Sequence, residues 1–201
     1  MAICLWAGNL ERELTARERE QLAELLPPER RTRLERVPDR RQWREPLCAY
    51  GLLALALRET RGWDRLPAMT LGERGKPFFP EHPEQHFCIS HTHGGVLVGL
   101  SGEPVGVDLE WLGRPMRSTI RRRLEQSGQT PLEYYQDWVR YEAAVKRRGG
   151  GVRPHHRPED CENAQLVDLL PDYAAAVCGG EALGSVRRLS LEDLLDGLFT
   201  S

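Results

Sequence analysis

The 201-residue sequence lacks any apolar run that approaches the length needed to cross a membrane. Its first residues do not show a basic segment followed by an apolar one, which is the pattern of a secretory signal. Its five cysteines lack Cys-x-x-Cys spacing, and an odd, scattered set does not indicate a disulfide framework. We therefore expect a cytoplasmic protein with reduced cysteines and no association with a membrane.

A strong imbalance of charge is also absent. Lys and Arg number 28 against 30 Asp and Glu, and the formal net charge of −2 argues against a general nucleic-acid binder. Hydrophobic residues at 40% and charged residues at 29% are typical of a globular protein. Arginines are dense at 17–44 and 114–123. Most of them are expected on solvated helix faces, although a phosphate-rich ligand would use a few.

Both halves of the chain contain helical patterns and strand patterns, so the sequence predicts the α+β class. Strands are predicted at 2–7, 86–90, 95–100, 104–110, 164–169 and 173–178. Helices are predicted at 15–26, 29–36, 39–60, 115–126, 130–148 and 191–198. Pro46 lies inside the third of these helices and either kinks it or marks its true start.

Two acidic residues alternate with two apolar residues in the predicted strand 104–110. Side chains on a strand repeat every second residue, so Asp108 and Glu110 should share one face and Val107 and Leu109 the other. Neighbouring carboxylates repel each other unless a cation lies between them, and hard oxygen ligands suit Mg²⁺ or Mn²⁺. The alternative is that the two acids form an ordinary solvated face.

A third acidic residue lies on the predicted helix 130–148. Trp138, Glu142, Val145 and Lys146 follow each other at spacings of three and four, so they share one side of that helix. Because a Trp and a Val lie on this side, we expect it to face inward and to carry Glu142 and Lys146 with it. The alternative is an ordinary Glu–Lys pair on a surface helix.

With these residues identified, the sequence resembles the 4′-phosphopantetheinyl transferases, specifically the Sfp-type branch. Four blocks carry the resemblance in the family's order, and a weaker fifth follows them. They are 75–80 (GKPFFP), 87–91 (FCISH), 106–110 (GVDLE), 138–146 (WVRYEAAVK) and 173–178 (YAAAVC). No single block is specific, but the ordered set is.

The resemblance implies a fold and a reaction. The fold would consist of two similar α+β halves, 1–103 and 104–201, related by a pseudo-twofold axis, with coenzyme A bound in the cleft between them. The reaction would move the phosphopantetheine arm of coenzyme A onto a serine of an acyl, peptidyl or aryl carrier protein and release adenosine 3′,5′-bisphosphate. This architecture needs no second chain, so a monomer is expected.

The resemblance also implies roles for the acidic residues. Asp108, Glu110 and Glu142 would hold Mg²⁺, with Mn²⁺ as a possible substitute, against the pyrophosphate. Glu142 would accept the proton of the carrier serine, directly or through a metal-bound water, and Lys146 would balance charge on the phosphates. Asp108, Glu142 and Lys146 are therefore the expected catalytic residues.

Other residues match the family's coenzyme-binding positions. His91 matches its phosphate-binding histidine, Ser90 lies beside it in the coenzyme pocket, and Lys76 matches a lysine near the nucleotide. Taken singly, they would be a structural histidine, a strand-end hydroxyl and a solvated loop lysine. Arg30, Arg33 and Arg44 are candidates for the 3′-phosphate and adenine side.

One departure from the family pattern concerns the residue before Glu142, where the family usually has a lysine and this chain has Tyr141. The missing lysine could reduce coenzyme affinity or rate, or Arg140 could contact the phosphates in its place. It also keeps open a second hypothesis, a paralogue that binds coenzyme A or a carrier protein without catalysis.

A third hypothesis is a zinc protein, because histidines and cysteines cluster in two places. These residues are His82, His86, Cys88, His91, His93, His155, His156 and Cys161. Their spacings match no closed zinc pattern.

Overall fold

A computed structural model of the chain describes residues 2–10, 12–150, 161 and 163–200. Helices and strands are interspersed along the chain, in agreement with the predicted α+β class. The first half contains β1 (Ile3–Asn9), α1 (Ala16–Glu24), α2 (Pro28–Glu35), a 3₁₀ turn (Arg40–Trp43), α3 (Arg44–Arg61), β2 (Thr70–Leu71), β3 (Pro77–Phe78), β4 (His86–Thr92) and β5 (Gly95–Ser101). The second contains β6 (Gly106–Trp111), α4 (Ser118–Ser127), α5 (Pro131–Arg147), β7 (Ala164–Leu166), β8 (Tyr173–Cys178), β9 (Leu183–Leu189) and α6 (Leu191–Phe199).

The strands form two main sheets and one small hairpin. The larger sheet has the order β4-β5-β1-β9, and the smaller has the order β6-β8-β7. The antiparallel pair β2 and β3 forms the hairpin. Strands β4 and β6 belong to different sheets but lie side by side, which brings the FCISH block next to the GVDLE block.

Three apolar clusters hold these layers together. The first lies between the larger sheet and helices α1, α3 and α6. The second fills the space between the two sheets and includes Val107 and Leu109. The third packs α5, through Val139 and Ala143, onto the other face of the smaller sheet. Because the apolar residues of β6 point into the second cluster, its acidic residues point toward α5.

Strand β9 is an element that the sequence analysis missed. It pairs in parallel with β1 at the edge of the larger sheet, and five of its seven residues are exposed. An exposed edge strand carries no buried alternating pattern, so its sequence gives no strand signal. Strand β9 thus joins the sheet of the first half of the chain, and the α6 helix that follows it packs into the first apolar cluster.

The two alternatives for Pro46 are resolved in favour of a helix start. Helix α3 begins at Arg44, so Pro46 lies in its first turn, where a missing backbone N–H breaks no intrahelical hydrogen bond. The 3₁₀ turn Arg40–Trp43 precedes it, with the Asp39 side chain accepting a hydrogen bond from the backbone N–H of Arg41.

Candidate functional site

The acidic residues of β6 lie where this strand is covered by α5. A capping box between Thr130 and Glu133 begins α5, and Pro131 occupies its first turn. Gly106 at the start of β6 permits the close packing, because a β-carbon there would overlap the carbonyl oxygen of Ala143. The sequence therefore brings the helix that carries Glu142 and Lys146 against the strand that carries Asp108 and Glu110.

Lys146, Asp108 and Ser90 form a closed triangle of hydrogen bonds. Lys146 Nζ donates to Asp108 Oδ1 at 2.6 Å and to Ser90 Oγ at 3.0 Å. Ser90 Oγ donates to the same Asp108 Oδ1 at 2.9 Å. Burial alone would lower the pKa of Lys146, but the Asp108 charge and hydrogen bond outweigh it and raise that pKa.

Asp108, Glu110 and Glu142 form an acidic cluster in which two carboxylate oxygens accept no hydrogen bond from the described residues. Among the described residues, Asp108 Oδ2 and Glu110 Oε2 are buried and have no hydrogen-bond partner. The guanidinium of Arg114 lies 3.8 Å from Glu110 Oε2, too far for a hydrogen bond. Burial is the larger cause, and the charge of Asp108 the next, of the raised pKa of both Glu110 and Glu142. The cluster therefore has an excess of negative charge that a cation would relieve.

A divalent cation fits the chemistry of these donors, although the side chains do not form a ready-made cage. Over residues 2–10, 12–150, 161 and 163–200, no three His, Cys, Asp or Glu side chains group closely enough to hold a metal ion. The two unpartnered carboxylate oxygens are hard ligands of the kind that Mg²⁺ and Mn²⁺ prefer. Such an ion would also offset the charge that raises the pKa of Glu110 and Glu142.

A cleft of about 570 Å³ opens beside the acidic cluster. Lys146 lines it and so belongs to both the cleft and the acidic cluster. Four of the six predicted coenzyme-binding residues line it too, namely Arg30, Arg33, Lys76 and His91. Arginine and lysine side chains from α2, from the β2–β3 hairpin and from α5 thus converge on one cavity, together with His91 of β4. This arrangement favours an anionic ligand.

His91 is oriented by Glu45 at the start of α3. Its Nδ1 lies 3.1 Å from Glu45 Oε2, while Glu45 Oε1 accepts a hydrogen bond from the backbone N–H of Gly94 at 3.0 Å. The hydrogen bond from His91, opposed by burial and aided by the Gly94 N–H, lowers the pKa of Glu45. Sequence reasoning missed Glu45, because it lies 46 positions before His91 and so forms no local pattern with it.

Lys76 lies at the end of the turn that joins β2 and β3. Its Nζ donates to the backbone carbonyl of Val105 at 2.7 Å, and burial lowers the pKa of its ammonium. The aliphatic stem of Lys76 faces Gly149. Lys76 therefore links the hairpin to the second half of the chain at the wall of the cleft.

Two predicted coenzyme-binding residues are not among those that line the cleft in the described structure. Ser90 is buried against Asp108, and Arg44 forms an ion pair with Glu13 at 3.8 Å. Conversely, Tyr50 of α3 lines the cleft but was not predicted. Burial raises the pKa of Tyr50 against the opposing charge and hydrogen bond of Arg30. A single tyrosine in an apolar helix gives no signal of such a position.

Comparison with known proteins extends this picture, although no protein-family model matches the chain. It is 24% identical over 177 residues to a 4′-phosphopantetheinyl transferase of Bacillus subtilis, covering 82% of this chain and 77% of that protein. It is 32% identical over 174 residues to the 4′-phosphopantetheinyl transferase AcpT of Escherichia coli, covering 76% of this chain and 82% of that protein. The chain belongs to the 4′-phosphopantetheinyl transferases. It is thus an enzyme of this family, as the ordered motifs predicted.

The position where this transferase departs from the family's lysine lies in the interior. Tyr141 is 1% exposed, and its ring centroid lies 6.0 Å from that of Trp138. It precedes Glu142 on α5 but is not among the described residues that line the cleft. The tyrosine therefore serves packing in this chain.

Within the described residues, the histidines and cysteines of the zinc hypothesis do not group into a metal site. His91 contacts Glu45, His93 stacks on the ring of Trp111 with 3.5 Å between centroids, and Cys88 is buried. His155 and His156 lie outside the described residues. The described part of the chain therefore offers no zinc site in this transferase. Within the same residues, no helix is both long and apolar enough to span a bilayer.

Proposed function

We propose that this transferase moves the 4′-phosphopantetheine group of coenzyme A to a serine of an acyl, peptidyl or aryl carrier protein, in a Mg²⁺-dependent reaction that releases adenosine 3′,5′-bisphosphate. One observation carries the proposal: Lys146 lines the cationic cleft and contacts Asp108 of the acidic cluster. A ligand in that cleft would therefore place its phosphates beside the acids. The names of the similar transferases support the group that is transferred.

Binding of coenzyme A is assigned to the cleft. Arg30 and Arg33 of α2 would pair with the 3′-phosphate, because guanidinium groups match phosphate oxygens in charge and geometry. His91 and Lys76, which also line the cleft, would contact the phosphates. Arg44 is also expected there from the sequence, but its ion pair with Glu13 would have to break before it could bind a phosphate.

The metal is assigned to the acidic cluster. Asp108, Glu110 and Glu142 would hold Mg²⁺. Oδ2 of Asp108 and Oε2 of Glu110 would be ligand atoms, because neither accepts a hydrogen bond from the described residues. When bound, the ion supplies neutralisation of the pyrophosphate charge.

The transfer is a displacement at phosphorus. The oxygen of the carrier serine forms a bond to the phosphorus next to the pantetheine arm, and the bond to the bridging oxygen of the pyrophosphate breaks. That oxygen leaves with adenosine 3′,5′-bisphosphate. Glu142, whose pKa is raised by burial and by Asp108, would accept the serine proton, and Lys146 would balance charge on the phosphates.

The same proposal includes the family's architecture and setting. The halves 1–103 and 104–201 would be related by a pseudo-twofold axis, with β9 and α6 crossing back onto the first sheet. The enzyme would act as a monomer, because the proposed site draws its residues from one chain alone. It would act in the cytoplasm, without nucleic acid or a membrane as a partner.

The test is the intact mass of apo-acyl, apo-peptidyl and apo-aryl carrier proteins after incubation with this protein, coenzyme A and Mg²⁺. We expect a gain of one phosphopantetheine group on at least one carrier. Asp108→Ala and Glu142→Gln should abolish the gain while the fold is retained. Asp137→Asn is the matched control, because Asp137 is an exposed acid on the same helix as Glu142. No mass gain on any carrier, or full activity in Asp108→Ala, would contradict the proposal.

A further inference from the structure

Ser90 has an environment unlike that of a ligand-binding hydroxyl. It is 6% exposed and Asp108 is 5% exposed, so their hydrogen bond is closed to water. The hydroxyl uses its one proton toward Asp108 Oδ1 and accepts a hydrogen bond from Lys146 Nζ. Its only donor and one of its two acceptor lone pairs are thus engaged by residues of the protein, so the hydroxyl has no proton left to donate to a ligand.

The hydrogen bonds on Asp108 are distributed unequally between its two oxygens. Oδ1 accepts from both Ser90 and Lys146, whereas Oδ2 is buried without a hydrogen-bond partner among the described residues. Two donors on one oxygen fix the rotation of the carboxylate about its last side-chain bond. This leaves the second oxygen as the atom presented to a cation.

We propose that Ser90 is a positioning residue, which fixes the Asp108 carboxylate so that Oδ2 faces the metal, and that it is not a contact for coenzyme A. This inference rests on the proposed function. It is supported by β4 itself, because the other four residues of the segment 87–91 line the cleft, whereas Ser90 does not and donates to Asp108. Groups that orient metal-ligating carboxylates commonly change metal affinity by roughly 10- to 100-fold when removed.

The test separates metal binding from coenzyme binding. Mn²⁺ binding is followed by electron paramagnetic resonance at saturating coenzyme A, and coenzyme A binding is followed by calorimetry in the presence of a chelator. We expect Ser90→Ala to weaken Mn²⁺ binding about tenfold or more. The affinity for coenzyme A without metal should stay within twofold of the wild-type value. The Mg²⁺ concentration that gives half-maximal transfer should rise together with the dissociation constant for Mn²⁺.

Two further variants keep the test informative if Ser90→Ala folds poorly. Ser90→Thr keeps the hydroxyl and should restore Mn²⁺ affinity to near the wild-type value. Ser101→Ala is the matched control, because Ser101 is also buried and donates to a carboxylate, Glu181, at 2.6 Å, but lies outside the acidic cluster. It should leave Mn²⁺ affinity unchanged.

The outcomes distinguish this inference from the function on which it rests. Weaker coenzyme A binding with unchanged Mn²⁺ binding in Ser90→Ala would make Ser90 a coenzyme contact and overturn the inference alone. Equal Mn²⁺ affinity in wild type and Ser90→Ala would do the same if the wild type still modifies a carrier. A wild-type protein that neither binds Mn²⁺ nor modifies any carrier would overturn both.

Discussion

The ammonium of Lys146 lies 2.6 Å from Asp108 Oδ1 and joins α5 to β6 inside the acidic cluster. The contact gives the aspartate a positive partner within the protein itself. Because Lys146 also lines the cleft, the same side chain is placed to interact with an anionic ligand. The charge of the acidic cluster and the charge of a bound ligand are thus coupled through one residue.

Removal of this ammonium should destabilise the protein in the absence of metal. We expect Lys146→Met to lower the free energy of unfolding by about 3 kcal/mol, because it leaves Asp108 buried without its cation. The raised pKa of Lys146 means that the pair contributes fully below the ordinary lysine pKa of 10.5 and loses its effect as the pH rises through the raised value. Urea unfolding at pH 7 with a chelator measures the loss.

The control for Lys146→Met is Arg122→Met, which removes an exposed cation from α4. It should change the unfolding free energy by less than about 0.5 kcal/mol. Addition of Mg²⁺ should recover part of the Lys146→Met loss, since a cation would again face Asp108. An unfolding curve that coincides with wild type would show that the ion pair contributes nothing.

The carboxyl of Glu110 should oppose stability when no metal is present. Burial and the charge of Asp108 raise its pKa above the ordinary value of 4.5. A raised carboxyl pKa favours the folded state when the group is protonated, so metal-free stability should increase as the pH falls through the raised pKa toward 4.5. Glu110→Gln should therefore raise the metal-free Tm at pH 7 by about 2 °C.

The same substitution should remove the response to Mg²⁺. Thermal unfolding with and without Mg²⁺ at pH 7 should show an upward shift in Tm for wild type and none for Glu110→Gln. Asp137→Asn, on the exposed side of α5, should keep the wild-type shift. A Glu110→Gln protein that is less stable than wild type without metal would contradict the charge argument.

Glu45 should have the opposite pH dependence. Its pKa is lowered chiefly by the hydrogen bond from His91, so its contribution to stability is present above the ordinary value of 4.5 and is lost as the pH falls through the lowered pKa. We expect Glu45→Gln to lower Tm at pH 7, with the difference from wild type disappearing in acid. Glu20→Gln, an exposed acid on α1, is the control.

Gly106 should be sensitive to the smallest substitution. A β-carbon at this position would overlap the Ala143 carbonyl and crowd the backbone N–H of Arg147, so Gly106→Ala must push α5 away from β6. We expect a loss of roughly 1–3 kcal/mol in the free energy of unfolding. Transfer activity should fall further than the folded fraction, because Glu142 and Lys146 move with the helix. Gly128→Ala, at the end of α4 where a β-carbon meets open space, tests the effect of strain without crowding.

Whether the sequence predicts a feature of the site depends on how far apart along the chain the contacting residues lie. The alternation of Val107, Asp108, Leu109 and Glu110 is a local property of a strand, and the structure has the expected faces. The spacing of Glu142 and Lys146 is likewise local to a helix. By contrast, the contact between Ser90 and Asp108 depends on how β4 is placed beside β6, which no local period encodes.

Tyr141 provides a test of whether the family's lysine could be restored in this chain. A lysine at a position that is 1% exposed would lose the packing against Trp138 and would have to bury its ammonium. We expect Tyr141→Lys to cost about 3 kcal/mol in urea unfolding. Tyr141→Phe, which keeps the ring, should cost about 1 kcal/mol.

Coenzyme A affinity distinguishes packing from ligand binding at this position. Because Tyr141 is not among the described residues that line the cleft, calorimetry should give the same affinity per folded molecule for Tyr141→Lys and wild type. A Tyr141→Lys protein as stable as wild type with tighter coenzyme binding would contradict the interior placement. In that case the tyrosine would replace a lysine within the binding site. The cleft of the wild type would then carry less positive charge than with a lysine, which would account for a weak affinity for coenzyme A.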